Sequence, residues 1–311
     1  MSATSLNVSN MALSFIGFGE AAMAFVAGWN PQGAGAIKSF DIKVQSPDAD
    51  IVATKNGDFT STGVTGTASL GDALDGAAII FSTVTADQAH IAAADAARHI
   101  MPDALYLDCN SCAPGTKRQS AELIEAAGGR YVDVAVMAPV YPALHKTPVL
   151  ISGPHTSAAL AALQRLDMSA DEAAGEVGTA SAIKMIRSIM VKGLEALVLE
   201  SVLSARTAGV EDVILASLDK TYPGFDWKER AAYMMERVTT HGVRRAAEMR
   251  EVAVTVEELG MASDMSQAIV AWQQRVGDLA IKPDGATKET ADYKSRADAI
   301  MARLITPEEQ E

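Results

Sequence analysis

A glycine-rich turn near the start of the chain has the spacing of a phosphate-binding site. Gly17, Gly19 and Ala22 form a G-x-G-x-x-A pattern between an apolar run and a helical run. Gly17 permits a tight turn, Gly19 lets the backbone approach a pyrophosphate, and Ala22 allows close packing of helix on strand. The N-terminus of the helix offers unpaired N–H groups to the phosphates. The pattern predicts a Rossmann dinucleotide site, with cofactor contacts from Gly17, Phe18, Gly19, Glu20 and Ala21.

An acidic residue follows the second predicted strand at the distance expected for ribose recognition. Asp41 lies 22 residues after Gly19. A carboxylate there accepts hydrogen bonds from the ribose hydroxyls and repels a 2′-phosphate. We therefore expect NAD as the preferred cofactor, while the nearby cation Lys43 leaves NADP open. The alternative is that Asp41 is a solvated residue at the end of a strand.

Polar residues also follow two later predicted strands. Thr83 ends one of them and is followed by the apolar Val84, and Asn110 and Ser111 follow the next. In open α/β sheets, ligands bind outside the carboxyl ends of the strands. We expect Thr83, Val84 and Asn110 to contact the cofactor and Ser111 to contact the substrate. The alternative for Asn110 and Ser111 is a capping role for the helix that begins near Pro114.

A lysine in an apolar helical segment is the candidate catalytic group. Lys184 stands in the sequence SAIKMIRSIMVKG, and Arg187 and Ser188 share its helix face because they follow by three and four residues. Apolar neighbours would desolvate the amine and lower its pKa, so that it could act as an acid or a base. The alternative is a lysine whose stem lies along the helix surface while its amine reaches water.

A later helical segment carries charged residues one turn apart. His241 and Arg244 would contribute to substrate binding if this face lies at the active site. The alternative is an ion pair between Arg244 and Glu248 on a solvated face.

The pattern of elements predicts an α/β fold in which an N-terminal Rossmann doubly wound sheet is followed by an all-α C-terminal domain. Apolar runs predict strands at 12–18, 37–44, 78–83, 105–108, 131–137 and 149–153, with one more at 176–179. Helical periodicity predicts helices at 21–29, 85–99, 114–127, 156–166, 191–209, 227–258, 266–279 and 288–304. We expect residues 1–180 to bind the dinucleotide and residues 181–311 to serve the substrate and dimerisation.

Composition and charge exclude several classes of partner. The formal charge of −13 argues against binding to nucleic acid or to an anionic membrane. No basic leader and no run of 18 apolar residues is found, so we expect a soluble, cytoplasmic protein. Cys109 and Cys112 cannot complete a four-ligand zinc site. We interpret them as ordinary small residues at the end of a buried strand rather than as a redox pair, and we expect no metal.

The two motifs together resemble the β-hydroxyacid dehydrogenase superfamily, which includes 6-phosphogluconate dehydrogenase and 3-hydroxyisobutyrate dehydrogenase. The phrases KMIRSIMVKGLEAL and HGVRRAAEMREV are typical of a branch of NAD(P)-dependent oxidoreductases with an uncharacterised C-terminal domain. The resemblance implies that Lys184 exchanges the substrate hydroxyl proton as hydride is transferred. It also implies that Asn110 lies near the nicotinamide and that the protein is a homodimer through its helical domain.

The sequence departs from that family at the loop that usually carries Ser-Gly-Gly for a substrate carboxylate. Met137, Ala138 and Pro139 stand there instead, and proline donates no N–H. These apolar residues favour a bulky alcohol, including an aromatic one, whereas Arg187 favours an anion, so a hydroxy acid stays open. We expect contacts with the substrate from Met137, Ala138, Pro139, Arg187 and Ser188. The alternatives to this dehydrogenase are an oxidative decarboxylase of a 3-hydroxy acid and a non-catalytic NAD(H)-binding protein.

Overall fold

A computed structural model describes residues 11–30, 37–281 and 292–304 of the 311-residue chain. The chain divides into two compact units, Met1–Lys184 and Met185–Glu311. The first contains a sheet covered by helices, and the second is helical.

The strands of the first unit form one mostly parallel sheet. Within the described residues it has eight strands in the order β3-β2-β1-β4-β5-β6-β7-β8. The strands are β1 (Leu13–Ile16), β2 (Ile37–Phe40), β3 (Thr65–Gly66), β4 (Ile79–Ser82), β5 (Leu105–Asp108), β6 (Arg130–Val136), β7 (Val149–Ser152) and β8 (Ala170–Glu172). Only the pairing of β6 with β7 is antiparallel among the described strands. The strand order reverses at β1, between β2 and β4, which is where ligands bind in sheets of this type.

Helices cover the sheet and complete two apolar cores. They are α1 (Glu20–Trp29), α2 (Ala49–Thr62), α3 (Leu70–Leu74), α4 (Ala89–Ala96), α5 (Pro114–Ala126) and α6 (Thr156–Arg165). One core includes Phe15, Phe25 and Trp29, and the other includes Tyr106 and Tyr131. The central strands β1, β4 and β5 are buried along their whole length, as expected for parallel strands with both faces covered.

Two predicted strands differ from the structure by more than two residues, and the short strand β3 was not predicted. The strand predicted at 37–44 ends at Phe40, because the Asp41 carboxylate accepts the N–H of Lys43 and starts a 3-10 helix at Ile42–Gln45. No strand forms at 176–179; the last strand is instead Ala170–Glu172, beside β7. Gly175 and Gly178 both have positive φ and turn the chain into the next helix.

The second unit is built on long helices. The helix α7 (Thr179–Thr207) spans the division between the units and is followed by α8 (Glu211–Thr221), α9 (Trp227–Glu258), α10 (Asp264–Gly277) and α11 (Tyr293–Leu304). The core of this unit includes Leu199, Met235, Val238, Val276 and Ile300. In the part of the chain that the structure describes, no helix is both long enough and apolar enough to cross a lipid bilayer.

The helix α9 has the bounds that its periodicity predicted, whereas other helices differ in extent. The helix predicted at 191–209 begins twelve residues earlier, at Thr179. The helices α2 and α8 were not predicted. The first four residues of the helix predicted at 288–304, beginning with Lys288, lie outside the described residues.

Candidate active site

The glycine turn lies between β1 and α1, at the reversal of the strand order. Gly17 has a φ of +79°, and a Cβ there would lie 2.8 Å from the carbonyl oxygen of Thr83. Its N–H donates to the carbonyl of Phe40 at 2.8 Å. A Cβ on Gly19 would meet no atom within 4 Å, so the space above this residue is open. The turn therefore needs glycine at position 17 for its own conformation and leaves room for a ligand at position 19.

Asp41 and Lys55 hold the residue between the two glycines. The N–H of Phe18 donates to Oδ2 of Asp41 at 2.8 Å, and the amine of Lys55 donates to the carbonyl of Phe18 at 2.5 Å. Lys55 is itself buried and pairs with Asp58 at 2.7 Å. The Phe18 ring is fully buried against Phe59, so only its backbone faces the turn. Asp41 is therefore part of the turn and not merely a solvated residue after a strand.

The ends of β4 and β5 are joined to the same turn. The hydroxyl of Thr83 donates to the carbonyl of Gly17 at 2.8 Å. The N–H of Val84 donates to the side-chain oxygen of Asn110 at 2.7 Å, and the amide of Asn110 donates to Ser82 at 2.9 Å. The structure thus brings together the predicted cofactor residues from three strand ends.

A dinucleotide fits this arrangement of residues. The open space at Gly19, the buried carboxylate of Asp41 and the N-terminus of α1 provide the three features that a pyrophosphate and an adenosine ribose require. Glu20 and Ala21 form the first turn of α1. Residues 17–21 would hold the pyrophosphate, and Thr83, Val84 and Asn110 would hold the nicotinamide half.

Lys184, the candidate catalytic lysine, lies on α7 within reach of the end of β5. Its amine donates to the hydroxyl of Ser111 at 2.5 Å, and its side chain is partly buried. Ser111 directly follows Asn110, so the amine lies beside the residues expected at the nicotinamide. The structure thus brings a side chain that is chemically able to transfer a proton next to the predicted cofactor residues within the first unit.

A buried lysine lies beneath Asn110 and was not predicted from the sequence. Lys117, on α5, lies 3.0 Å from Oδ1 of Asp108 and donates to the carbonyl of Asp108 at 2.6 Å. The same carboxylate accepts from the amide of Asn110 at 2.7 Å and from the hydroxyl of Tyr131 at 2.6 Å. Burial alone would lower the pKa of Lys117, but the charge of Asp108 raises it above its ordinary value. Lys117 is therefore a charged group buried inside the first unit.

The other carboxylate beside Lys117 caps the helix that carries Lys184. Asp133, on β6, lies 3.4 Å from the amine of Lys117. Its carboxylate accepts the N–H groups of Gly178 and Ser181 at 3.1 and 3.0 Å and the hydroxyl of Ser181 at 2.6 Å. The charges of Asp108 and Asp133 interrupt apolar runs of the sequence, which is a signal that could have identified them as buried and partnered.

The predicted substrate loop and the cysteines lie near these strand ends. Met137 packs against the small apolar cluster that includes Ala135 and Ala180, while Ala138 and Pro139 are exposed. Burial raises the pKa of the Cys109 thiol to about 12, so the thiol is neutral. Among the described residues, no group of three or more acidic, histidine or cysteine side chains is arranged to hold a metal ion.

The remaining predicted substrate residues belong to the second unit. Arg187 is exposed, and Ser188 is buried and accepts from the amine of Lys192 at 3.1 Å. Arg244 pairs with Glu248 at 2.6 Å, which is the i,i+4 ion pair considered above. Burial and then the charge of Arg237 lower the pKa of His241. A substrate role for Arg187, Ser188, His241 and Arg244 stays a prediction.

A mostly parallel sheet with a glycine turn at its strand-order reversal defines a dinucleotide-binding domain, here followed by a helical domain. A family model described as the NAD binding domain of 6-phosphogluconate dehydrogenase matches residues 36–175. A domain of unknown function, DUF1932, matches residues 205–276. The chain therefore contains an NAD(P)-binding domain of the 6-phosphogluconate dehydrogenase type, followed by a DUF1932 domain.

Solved structures agree with this assignment. A conserved hypothetical protein from Sinorhizobium meliloti 1021 is 32% identical, with a TM-score of 0.73 over 96% of this chain and 98% of that chain. A conserved protein of unknown function, described as structurally similar to 3-hydroxyacid dehydrogenases, is 29% identical, with a TM-score of 0.65 over 86% of this chain and 96% of that chain. The 3-hydroxyisobutyrate dehydrogenase of Mycobacterium tuberculosis, at 15% identity, shares the fold, with a TM-score of 0.60 over 93% and 99% of the two chains.

Among curated proteins, an uncharacterized 28.5 kDa protein in the 7S RNA 5′ region of Methanothermus fervidus is 29% identical over 117 residues. That match spans 38% of this chain and 44% of the length of that protein.

Proposed function

We propose that this chain is an NAD-dependent dehydrogenase that acts on the CH–OH group of a hydroxy acid or a bulky alcohol, with Lys184 as the general acid and base. The observation that carries the proposal is the hydrogen bond from the Lys184 amine to Ser111, beside Asn110. It supports a proton-transferring group next to the nicotinamide. The similarity of one relative to 3-hydroxyacid dehydrogenases supports the same class of substrate.

Asn110, Ser111 and Lys184 each have a distinct role in the proposed reaction. A bound nicotinamide would supply the hydride acceptor for oxidation of the carbinol carbon and the hydride donor for the reverse reduction. Asn110 orients the cofactor, and Ser111 holds the Lys184 amine until a substrate hydroxyl takes its place. The neutral amine then takes the hydroxyl proton, so that the alcohol becomes a carbonyl, and in reduction the ammonium group returns that proton.

The preference for NAD is a proposal that rests on Asp41. Its carboxylate faces the turn and would repel a 2′-phosphate. The amine of Lys55 lies 3.9 Å from that carboxylate and partly offsets its negative charge. A second cation, the exposed Lys43, follows Asp41 by two residues. Calorimetric titration with NADH and with NADPH tests the point, and tighter binding of NADPH would contradict it.

The substitution Lys184→Met tests the proposed chemistry. We expect turnover to fall by at least about a hundredfold, because general acid–base catalysis typically contributes 10²–10⁴-fold, while NADH binding stays within about twofold. The exposed lysine Lys220 provides the control, since Lys220→Met should leave both quantities unchanged. A Lys184→Met variant with full activity against the best hydroxy acid of a substrate panel would rule out the mechanism. Release of carbon dioxide during turnover would identify the oxidative decarboxylase instead.

A further inference from the structure

Three buried charges connect the two side chains that the proposed function needs. Lys117, Asp108 and Asp133 have fully buried side chains, and the amine of Lys117 lies between the two carboxylates at 3.0 and 3.4 Å. We call these three residues the buried triad. We propose that Asp133 is a positioning residue for Lys184. Lys117 fixes the position of Asp133 relative to Asp108, and therefore the position of Lys184 relative to Asn110. This inference rests on the proposed function of Lys184.

One arm of the buried triad ends at Asn110. The Asp108 carboxylate accepts from the backbone N–H of Asn110 at 3.0 Å and from its side-chain amide at 2.7 Å. With its amide group held in this way, the side-chain oxygen of Asn110 points to the N–H of Val84. The orientation of the Asn110 amide is therefore set by the charged carboxylate of Asp108 and not by contact with solvent.

The other arm ends at the first turn of α7. A helix begins with N–H groups that have no partner within the helix, and Asp133 accepts two N–H groups at this end, those of Gly178 and Ser181. Ser152 accepts a third, from Ala180, and itself donates to Asp133 at 3.1 Å. The carboxylate also interacts favourably with the positive end of the helix dipole. Lys184 follows Ser181 by three residues, so its Cα is fixed about one helical turn from this cap.

Lys117 makes the two arms interdependent. Two carboxylates buried this close together would repel each other without a cation between them. Removing one partner from a buried ion pair typically costs 3–5 kcal/mol, so Lys117→Met is unsuitable as a first test because it is expected to unfold the first unit. Changes at Asp133 and Ser181 are more informative, because Lys117 keeps its ion pair with Asp108 when Asp133 is replaced, and Ser181 contributes to the α7 arm alone.

The test compares Asp133→Ala, which loses all four hydrogen bonds, with Asp133→Asn, whose remaining oxygen still accepts from Gly178 and Ser181. The control is Thr147→Val, which removes the hydrogen bonds that the fully buried Thr147 donates to the carbonyls of Val140 and Leu144. Both of these bonds lie within the loop before β7. Neither involves a member of the buried triad. Each variant is made in the full chain and its thermal stability is measured first.

The first readout needs no substrate. The lysines are reductively methylated with ¹³C, and the Lys184 signal is assigned by its loss in Lys184→Met. In the wild type with NADH we expect this signal to stand apart from those of the solvated lysines. It should move towards them in Asp133→Ala and return in Asp133→Asn, while Thr147→Val leaves it in place. An unchanged signal in Asp133→Ala would overturn the inference.

The second readout separates positioning from stability. We expect Asp133→Ala to lower kcat at least about tenfold, since misplacement of a catalytic group by 1 Å can cost 10²-fold. KM and the Kd for NADH should stay within about threefold, and Asp133→Asn should recover most of kcat. An equal loss of kcat in Thr147→Val would overturn the inference. If Asp133→Ala does not fold, Ser181→Ala replaces it in the test. We then expect a smaller fall in kcat and a smaller shift of the Lys184 signal towards those of the solvated lysines.

The two proposals fail in different ways. Activity in Lys184→Met, or a wild type that turns over no member of the substrate panel, removes the proposed function, and the NMR signal still decides whether Asp133 positions Lys184. A wild type that depends on Lys184 but tolerates Asp133→Ala removes only the role of Asp133.

Discussion

Two lysines on the same helix have different surroundings. The Lys184 amine is partly buried and donates to a hydroxyl, whereas Lys192 is buried within the second unit and pairs with Glu248 at 3.1 Å. Burial lowers the pKa of Lys192, and the attraction of Glu248 opposes that shift only in part. Glu248 also pairs with Arg244, so its charge keeps a partner if Lys192 is replaced. The charge on Lys192 therefore costs the folded state free energy.

The substitution Lys192→Met should stabilise the protein or leave its stability unchanged. We expect the melting temperature at pH 7 to rise by up to about 3 °C, since the variant removes the desolvation cost of the Lys192 charge while Glu248 keeps its ion pair with Arg244. The pKa of Lys192 is lower in the folded state than in the unfolded state. The unfolded chain therefore binds more protons between these two pKa values, and wild-type stability rises with pH there. The advantage of the variant should shrink as the pH approaches 10.5.

Thermal unfolding of both proteins between pH 7 and pH 10 checks this expectation. The exposed lysine Lys220 supplies the comparison, because Lys220→Met should change the melting temperature by less than about 1 °C at every pH. A fall of several degrees in Lys192→Met at pH 7 would show that the pair with Glu248 stabilises the fold.

At the scale of elements, apolar periodicity predicted much of the fold. The strand β5 and the helix α9 have the predicted bounds, because each is a long or strongly patterned segment with a clear break at its ends. The helix α2 was missed because its sequence, ADIVATKNGDFTST, has few apolar positions and buries only Lys55 and Phe59. Its formation depends on packing against the rest of the unit, which periodicity does not record.

The predicted parts of the site are those where backbone geometry selects the residue type, where a residue follows the carboxyl end of a strand, or where a family motif marks the position. Gly17 and Gly19 were identified because a tight turn and a close approach require glycine. The buried triad was not, because Lys117 lies on an amphipathic helix and a lysine there is normally solvated. Its partners come from two different strands, and only the pairing of those strands brings the three charges together.

The contact between α9 and α10 depends on two glycines. A Cβ on Gly242 would lie 2.8 Å from the Cα of Gly277, and a Cβ on Gly277 would lie 2.5 Å from the backbone nitrogen of Val243. These neighbours are backbone atoms, which cannot move without shifting a helix. The two helices therefore approach more closely than any side chain would allow.

We expect Gly242→Ala to destabilise the second unit by about 2–3 kcal/mol, since overpacking of a close contact typically costs 1–3 kcal/mol. The control is Gly57→Ala on the exposed face of α2, where a Cβ meets nothing within 4 Å. That variant should gain about 0.5–1 kcal/mol from the better helix propensity of alanine. Urea unfolding of both variants measures the difference, and equal stability of the two would contradict the packing argument.

At the scale of the whole molecule, the second unit exposes large apolar side chains. On α7, Met190 is 73% exposed and Leu197 is 56% exposed, and on α9, Tyr233 and Val243 are also exposed. Apolar surface of this kind is typical of protein interfaces. We propose that a second copy of the chain covers it, in agreement with the dimer that the family resemblance implies.

Light scattering should therefore give about twice the chain mass of 32.6 kDa. The double substitution Met190→Lys and Leu197→Lys should yield monomers, because it places charge on the proposed interface. Ile91→Lys, at an exposed apolar residue on α4 of the first unit, should leave the mass unchanged. A wild type of 32.6 kDa at working concentration would exclude the dimer.

The burial of both cysteines makes the chain convenient for attaching fluorescent dyes at chosen positions. Cys109 and Cys112 are the two cysteines of the sequence, and neither exposes more than 8% of its surface. A maleimide dye reacts with an exposed thiolate, so both native thiols should react slowly. A cysteine introduced on an exposed helix face would then carry the fluorophore selectively, without prior removal of the native pair. Donor and acceptor dyes placed in this way on α4 and α8 would report the distance between the two units in solution.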